Sequence, residues 1–223
     1  MKLLAIDTST ERASLALLHN GEVRCMEQPA QRQHAQLLLP MIDRLLSDAG
    51  LCLKQLDGLV FGRGPGSFTG LRIACSVAKG LAYAHDIPLY PVSTLAAIAD
   101  EIRNSQPLVI NQGVLAMIDA RMHQVYWACY SAVGSSEEQV SFVKDIQISG
   151  DFPLTLAGVG FDSYREQIPA TISSRISSQV EMYPSGTAML RIAVNGHVAA
   201  VSAAEALPVY VRNQVVQIGG SRG

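Results

Sequence analysis

A strand, a glycine-rich turn and a helix follow one another between Leu59 and His85, and this join constrains the fold more than any other part of the chain. The apolar run Leu59-Val60-Phe61 leads directly into Gly62-Arg63-Gly64-Pro65-Gly66-Ser67-Phe68-Thr69-Gly70-Leu71. Glycine permits φ > 0 and close approach of another main chain. Ser67 or Thr69 caps the helix that follows. A glycine turn ending at a helix N-terminus suits an anion or another chain, and it equally suits a tight strand-to-helix turn with no ligand. The candidate contact residues are Arg63, Gly64, Pro65, Gly66, Ser67, Phe68 and Thr69. The P-loop pattern is absent because no lysine stands at its place. The dinucleotide pattern fails because Ser67 stands where its third glycine would fall.

Around this join the pattern is mixed α/β. Leu3 to Asp7, Ala13 to Leu18 and Val23 to Glu27 read as a three-stranded meander, with His19-Asn20-Gly21-Glu22 as a hairpin turn. His34, Leu37, Leu38, Met41, Ile42, Leu45, Leu46 and Ala49 then recur at helical spacing, with Gly50 beyond the end and Pro40 inside. Strands at Leu56–Phe61 and Pro88–Val92 alternate with helices from about Thr69 to His85 and from Ser93-Thr94 to Arg103. Beyond Asn104 the pattern restarts more weakly. Val114 to Asp119 is a strand ending in a carboxylate, as Leu3 to Asp7 is, and Gln124 to Ser131 is its partner. Ser141–Ile148 and Leu154–Ala157 read as strands, Phe161–Gln167 and Ser185–Ala200 as helices. Strand, carboxylate, turn and strand therefore occur twice, half a chain apart. The expected lobes are 1–103 and 104–218, with 219–223 as a flexible tail.

Composition narrows the classes. The chain has 223 residues and a net charge of −2, which argues against a strongly basic nucleic-acid surface. No run approaches the about 18 apolar residues of a membrane helix. Met1-Lys2-Leu3-Leu4 is not a secretory signal, and the four scattered cysteines read as reduced thiols, so a cytoplasmic protein is expected. His19, His34, His85, His123 and His197 are isolated, without metal-ligand spacing. Asp7 and Asp119 end strands, either as ligands at the base of a cleft or as caps of their own turns. Ser67 has no G-x-S-x-G setting.

The helix after the glycine turn carries only Arg72 and Lys79 as charges along Ile73, Ala74, Cys75, Val77, Ala78, Leu81, Ala82 and Ala84. Such a helix needs cover on more than one side. Its own sheet and the second lobe are one cover. A partner is the other, docking on a face built from His34, Leu38, Met41 and Leu45 of the earlier helix with Arg72, Ile73, Ser76, Lys79 and Tyr83 of this one.

Ala5-Ile6-Asp7-Thr8-Ser9-Thr10, the segment Gly62 to Leu71, Ala78-Lys79-Gly80-Leu81-Ala82, Ile118-Asp119-Ala120-Arg121 and Val209-Tyr210-Val211-Arg212-Asn213 together resemble the bacterial TsaB family, also called YeaZ. The resemblance implies a two-lobed α/β fold of the actin, Hsp70 and sugar-kinase type, with mixed sheets, flanking helices and a reduced second lobe. It implies a non-catalytic scaffold in threonylcarbamoyl transfer to adenosine 37 of transfer RNA. That scaffold binds the catalytic subunit TsaD, is joined by the ATPase TsaE, forms a homodimer when TsaD is absent, and meets transfer RNA only through the complex. No cofactor of its own is implied, though a nucleotide at the joint with TsaD is.

The departures from the parent fold weigh as much. Its kinases use a D-x-G-[ST] turn, whereas Asp7-Thr8-Ser9-Thr10 and Asp119-Ala120-Arg121-Met122 contain no glycine, and Arg121 is expected to fill the space. Gly158-Val159-Gly160 is a remnant of the adenosine loop. TsaD carries H-x-x-x-H at the start of a helix; the matching positions here are Thr94, read as a cap, and Ile98, read as core. No metal is expected. Besides the scaffold, two readings compete: a self-sufficient ATPase or kinase of this fold, and a glycoprotease-like metallopeptidase.

Overall fold

The computed structural model describes residues 1–30, 33–105 and 111–211; the tail expected at 219–223 lies outside them. In the first sheet β1 (Leu3–Asp7), β2 (Arg12–His19) and β3 (Glu22–Pro29) form the expected antiparallel meander. β4 (Gly58–Gly64) and β5 (Leu89–Ser93) add in parallel, giving the order β3-β2-β1-β4-β5. Side chains alternate across a strand, so the two faces have separate cores. Leu4, Ile6, Leu59 and Phe61 meet α1 (His34–Asp48) and α2 (Phe68–His85). Leu3, Ala5 and Val60 meet α5 (Gly186–Val194) on the other face.

The second sheet repeats this plan. β6 (Gly113–Asp119) pairs antiparallel with β7 (Gln124–Ser131) and parallel with β10 (Leu154–Val159), which pairs parallel with β11 (Ile176–Glu181). β8 (Gly134–Ser135) and β9 (Gln139–Phe142) edge β7. The antiparallel, parallel, parallel sequence of pairings thus occurs once per lobe, which confirms the internal repeat. This lobe is covered thinly, by a 3-10 turn at Asp162–Gln167 and by α4 (Ala170–Ser173), over a core around Trp127, Leu115, Met117 and Phe161.

Several expectations change. Ser141–Ile148 is β9 followed by a 3-10 turn, and Phe161–Gln167 is a 3-10 turn rather than an α-helix. α5 is shorter than Ser185–Ala200, and it packs on the first sheet although it follows the second. Packing therefore returns the chain to the first sheet beyond Glu181, within the stretch read as the second lobe. The helix that joins the lobes is α3 (Thr94–Ser105): Leu95, Ile98, Ala99 and Ile102 enter the core of the second sheet, while Ala97 enters the core around α5. Thr94 is not the cap. Ser93 Oγ accepts from Ala96 N–H instead, and the buried Thr94 hydroxyl donates to the Pro65 carbonyl.

α1 keeps Pro40 inside it, on the solvent side. Its apolar stripe points inward. Leu38, Met41 and Leu45 are buried in the protein's own core, and His34 is buried with them. These four residues are therefore not surface for a partner. The stripe at i, i+4, i+7 and i+11 is the side of α1 that covers β2.

Candidate functional site

The glycine turn is filled by the chain itself. A Cβ at Gly62 would lie 2.0 Å from Asp7 Oδ2, one at Gly66 2.5 Å from the Ser9 carbonyl oxygen, and one at Gly70 1.7 Å from the Thr8 carbonyl oxygen. Gly64 has φ +110° and lies against the Val209 carbonyl. Each glycine thus admits a neighbouring segment of this protein. The first turn is locked onto the loop by Ser67 N–H donating to Ser9 O at 2.7 Å and Thr8 Oγ1 donating to Gly70 O at 2.7 Å. Ser67 caps α2, its hydroxyl accepting from Gly70 N–H. Thr69 is exposed at the same end.

Arg63 leaves the loop toward the second lobe. Its guanidinium donates to both carboxylate oxygens of Glu138, at 2.9 and 3.0 Å. This bidentate pair is the strongest geometry available to an arginine. It fastens the loop to the segment between β8 and β9, and it leaves Arg63 committed rather than poised for a phosphate.

The two aspartate turns differ. Asp7 is fully buried, and its Oδ1 accepts from Ser9 N–H at 3.0 Å and Ser9 Oγ at 2.8 Å. Its Oδ2 has no hydrogen-bond partner among the described residues and lies against Gly62 and the Met189 methyl. Burial pushes this carboxyl up from 3.8 to about 7, against the opposing pull of the two Ser9 hydrogen bonds. Asp119 is half-buried and better served. Its Oδ1 accepts from Arg121 N–H at 2.8 Å and from the Tyr164 hydroxyl at 3.3 Å, and Oδ2 lies 3.4 Å from Arg121 Nη1. Arg121 does not fill the turn; its side chain is 87 % exposed and reaches back over Asp119. Arg121, Met122 and His123 all have positive φ, a left-handed run of three non-glycine residues. No group of three metal-ligating side chains occurs among the described residues.

Where the lobes meet beside β2, β3 and α3 there is an open hollow of about 440 Å³. Arg12, Glu27, Glu101, Glu181, Tyr183 and Ser185 line it, so carboxylates outnumber arginine three to one.

The outward side of α2 is the other feature. Leu71, Ala74, Ala78 and Ala82 face the sheet, while Arg72, Ser76 and Tyr83 face out and Ile73 is half-buried. Beside them runs the segment 202–211, in the opposite direction to the helix. Ala206 O accepts from Lys79 Nζ at 3.0 Å, and Val209 N–H donates to Arg63 O at 2.7 Å. The Tyr210 hydroxyl accepts from Arg72 Nε at 3.0 Å, and the Arg72 guanidinium stacks on the Phe68 ring at 3.5 Å. Nothing in the sequence pattern marks this segment as a neighbour of α2.

Residues 27–209 match the family described as TsaD: tRNA N6-adenosine threonylcarbamoyltransferase. The tRNA threonylcarbamoyladenosine biosynthesis protein TsaB of Haemophilus influenzae is 38 % identical, over 96 % of this chain and 95 % of that protein. The chain belongs to the TsaB (YeaZ) family. The Escherichia coli TsaB protein is 36 % identical over 96 % of both chains. YeaZ from Pseudomonas aeruginosa superposes with a TM-score of 0.83 at 38 % identity, covering 94 % of this chain and 99 % of its own. The TsaB family membership carries with it the two-lobed fold of the actin, Hsp70 and sugar-kinase type. No helix among the described residues is long and apolar enough to cross a membrane.

Proposed function

We propose that this chain is the non-catalytic scaffold subunit in threonylcarbamoyl transfer to adenosine 37 of transfer RNA. It docks the catalytic subunit TsaD on the outward side of α2, with TsaE joining the pair, and it works in the cytoplasm. A second copy takes the same face when TsaD is absent, and transfer RNA is reached through the complex. The observation that carries this reading is the filled glycine turn. The places where a phosphate would need main chain to open toward it are taken by Asp7, Thr8, Ser9 and Val209. The hollow between the lobes supports it, because the one arginine that lines it, Arg12, is already paired with Glu27 and so is not free for a nucleotide phosphate. A nucleotide at the joint with TsaD would then rest on groups supplied by that partner.

The docking face is tested at Ser76, which is exposed in mid-helix. Ser76→Glu should fold normally, weaken co-purification with TsaD and fail to restore the modified nucleoside in cells that lack the protein. The added carboxylate must be desolvated in the interface, and one turn from Arg72 it also takes up the cation of that face. Full co-purification by a well-folded variant would move the interface off α2. The competing ATPase reading is tested separately. The purified chain with ATP, magnesium and transfer RNA should show no turnover above buffer. Turnover that vanishes in Asp7→Ala would replace the scaffold by an enzyme.

A further inference from the structure

Five of the twelve large apolar side chains exposed among the described residues lie along one strip. Phe68 and Tyr83 come from α2, and Leu207, Val209 and Tyr210 from the segment beside it. Tyr83 is 85 % exposed, Leu207 65 % and Phe68 55 %. Apolar groups gathered in this way mark an interaction surface more often than scattered ones do. The strip continues into a groove of about 490 Å³ between the end of α2 and the start of the segment, lined by Tyr83, Asp86, Pro88, Val201 and Ala203.

The segment is anchored at several points along its length. Ala206 is buried in the main core, Val201 bridges to Leu89 of β5, and Val209 bonds the glycine turn. Its backbone and small residues face inward while Leu207 and Tyr210 face out. Gly64 matters here, since a Cβ at that position would stand 2.9 Å from the Val209 carbonyl oxygen. The glycine turn is thus the seat of the C-terminal segment.

We infer that the segment 202–211 is part of the docking surface for TsaD, and that the partner presents an apolar surface with a carboxylate placed against Arg72. The inference rests on the scaffold reading above. Charge sets what the occupant must bring: Arg72 is exposed, stacked on Phe68 and bonded to Tyr210, and has no carboxylate partner among the described residues. Lys79, the other cation of the face, is engaged by the Ala206 carbonyl. An aromatic-framed arginine within an apolar strip is the kind of anchor that dominates protein interfaces.

The test uses the full chain and purified TsaD, with affinity read by titration and folding by thermal midpoint. Leu207→Glu should keep the midpoint and weaken TsaD at least about tenfold, as should Tyr210→Ala. Arg72→Gln should weaken it and flatten its dependence on salt. If the parent chain binds and Ser76→Glu weakens it, but Leu207→Glu and Tyr210→Ala bind like the parent, the segment lies outside the interface and this inference fails alone. Tighter binding by either variant would make the segment a cover that the partner displaces, which also overturns it. Loss of self-association with unchanged TsaD affinity would assign the strip to a second copy instead. A parent chain that does not bind TsaD overturns the scaffold reading itself.

Discussion

Alanine at position 70 is expected to destabilise the protein by roughly 3–5 kcal/mol, against a typical total of 5–15. Gly70 sits in the first turn of α2, where the added methyl would lie 1.7 Å from the Thr8 carbonyl oxygen and 2.9 Å from its carbon. Both atoms are main chain at the end of β1, so no side-chain rotation relieves the clash. Forcing the helix away costs about 1–3 kcal/mol or more for overpacking. It also breaks the Thr8 hydroxyl bond to Gly70 O, worth about 1 kcal/mol with its buried donor left open. Gly80 is the control. It lies in the same helix, and a methyl added there would have nothing within 4 Å. Gly80→Ala should therefore stabilise by up to about 1 kcal/mol, the ordinary helix propensity gain. Urea midpoints of the two variants should move in opposite directions. A loss below about 1 kcal/mol for Gly70→Ala would mean that the turn and helix are not locked together.

The meander, the glycine turn, α2 and the repeat of strand, carboxylate, turn and strand are legible in the sequence because each is a local pattern of period or turn chemistry. β11 is not. Its residues Ile176-Ser177-Ser178-Gln179-Val180-Glu181 form a polar edge strand without an apolar run. The stripe of α1 is legible as apolar but not as inward, since periodicity marks a buried face without saying what buries it. His34, Leu38, Met41 and Leu45 read equally well as interface, and the fold turns them to β2 and the core around it. The segment 202–211 is hidden for a different reason. Ser202-Ala203-Ala204-Glu205-Ala206-Leu207-Pro208 has no period, and its bonds to Arg72, Lys79 and Arg63 span most of the chain. Arg63 is likewise read from its loop as a candidate anion contact, because Glu138, its partner, lies in the other lobe.

Asp7 carries the second large effect, and its sign depends on pH. The folded protein holds this carboxyl protonated up to about 7, whereas the unfolded chain ionises it near 3.8. Between those values the folded state binds a proton that the unfolded state does not, so stability falls as pH rises. Above about 7 the cost is constant, and below about 4 it is absent. A rise of that size corresponds to roughly 4 kcal/mol. Asn at this position keeps the oxygen that accepts from Ser9 N–H and Ser9 Oγ. Its amide nitrogen stands where the unpartnered Oδ2 stood and finds no acceptor there, so about 1–3 kcal/mol of what is regained by removing the buried charge is lost again. Asp7→Asn should therefore be more stable than the parent by roughly 1–3 kcal/mol at pH 8, with the advantage shrinking to nothing or reversing by pH 4. Urea titrations at pH 4, 6 and 8 read this directly, and an advantage that does not grow with pH would mean the carboxyl ionises normally. The same variant separates the two roles an aspartate can have here. A residue that only closes its own turn can lose its charge without loss of transfer-RNA modification in the cell. A residue that holds a metal or a reacting water cannot, so a stabilised Asp7→Asn that fails to complement would return the protein to the enzymes of its fold.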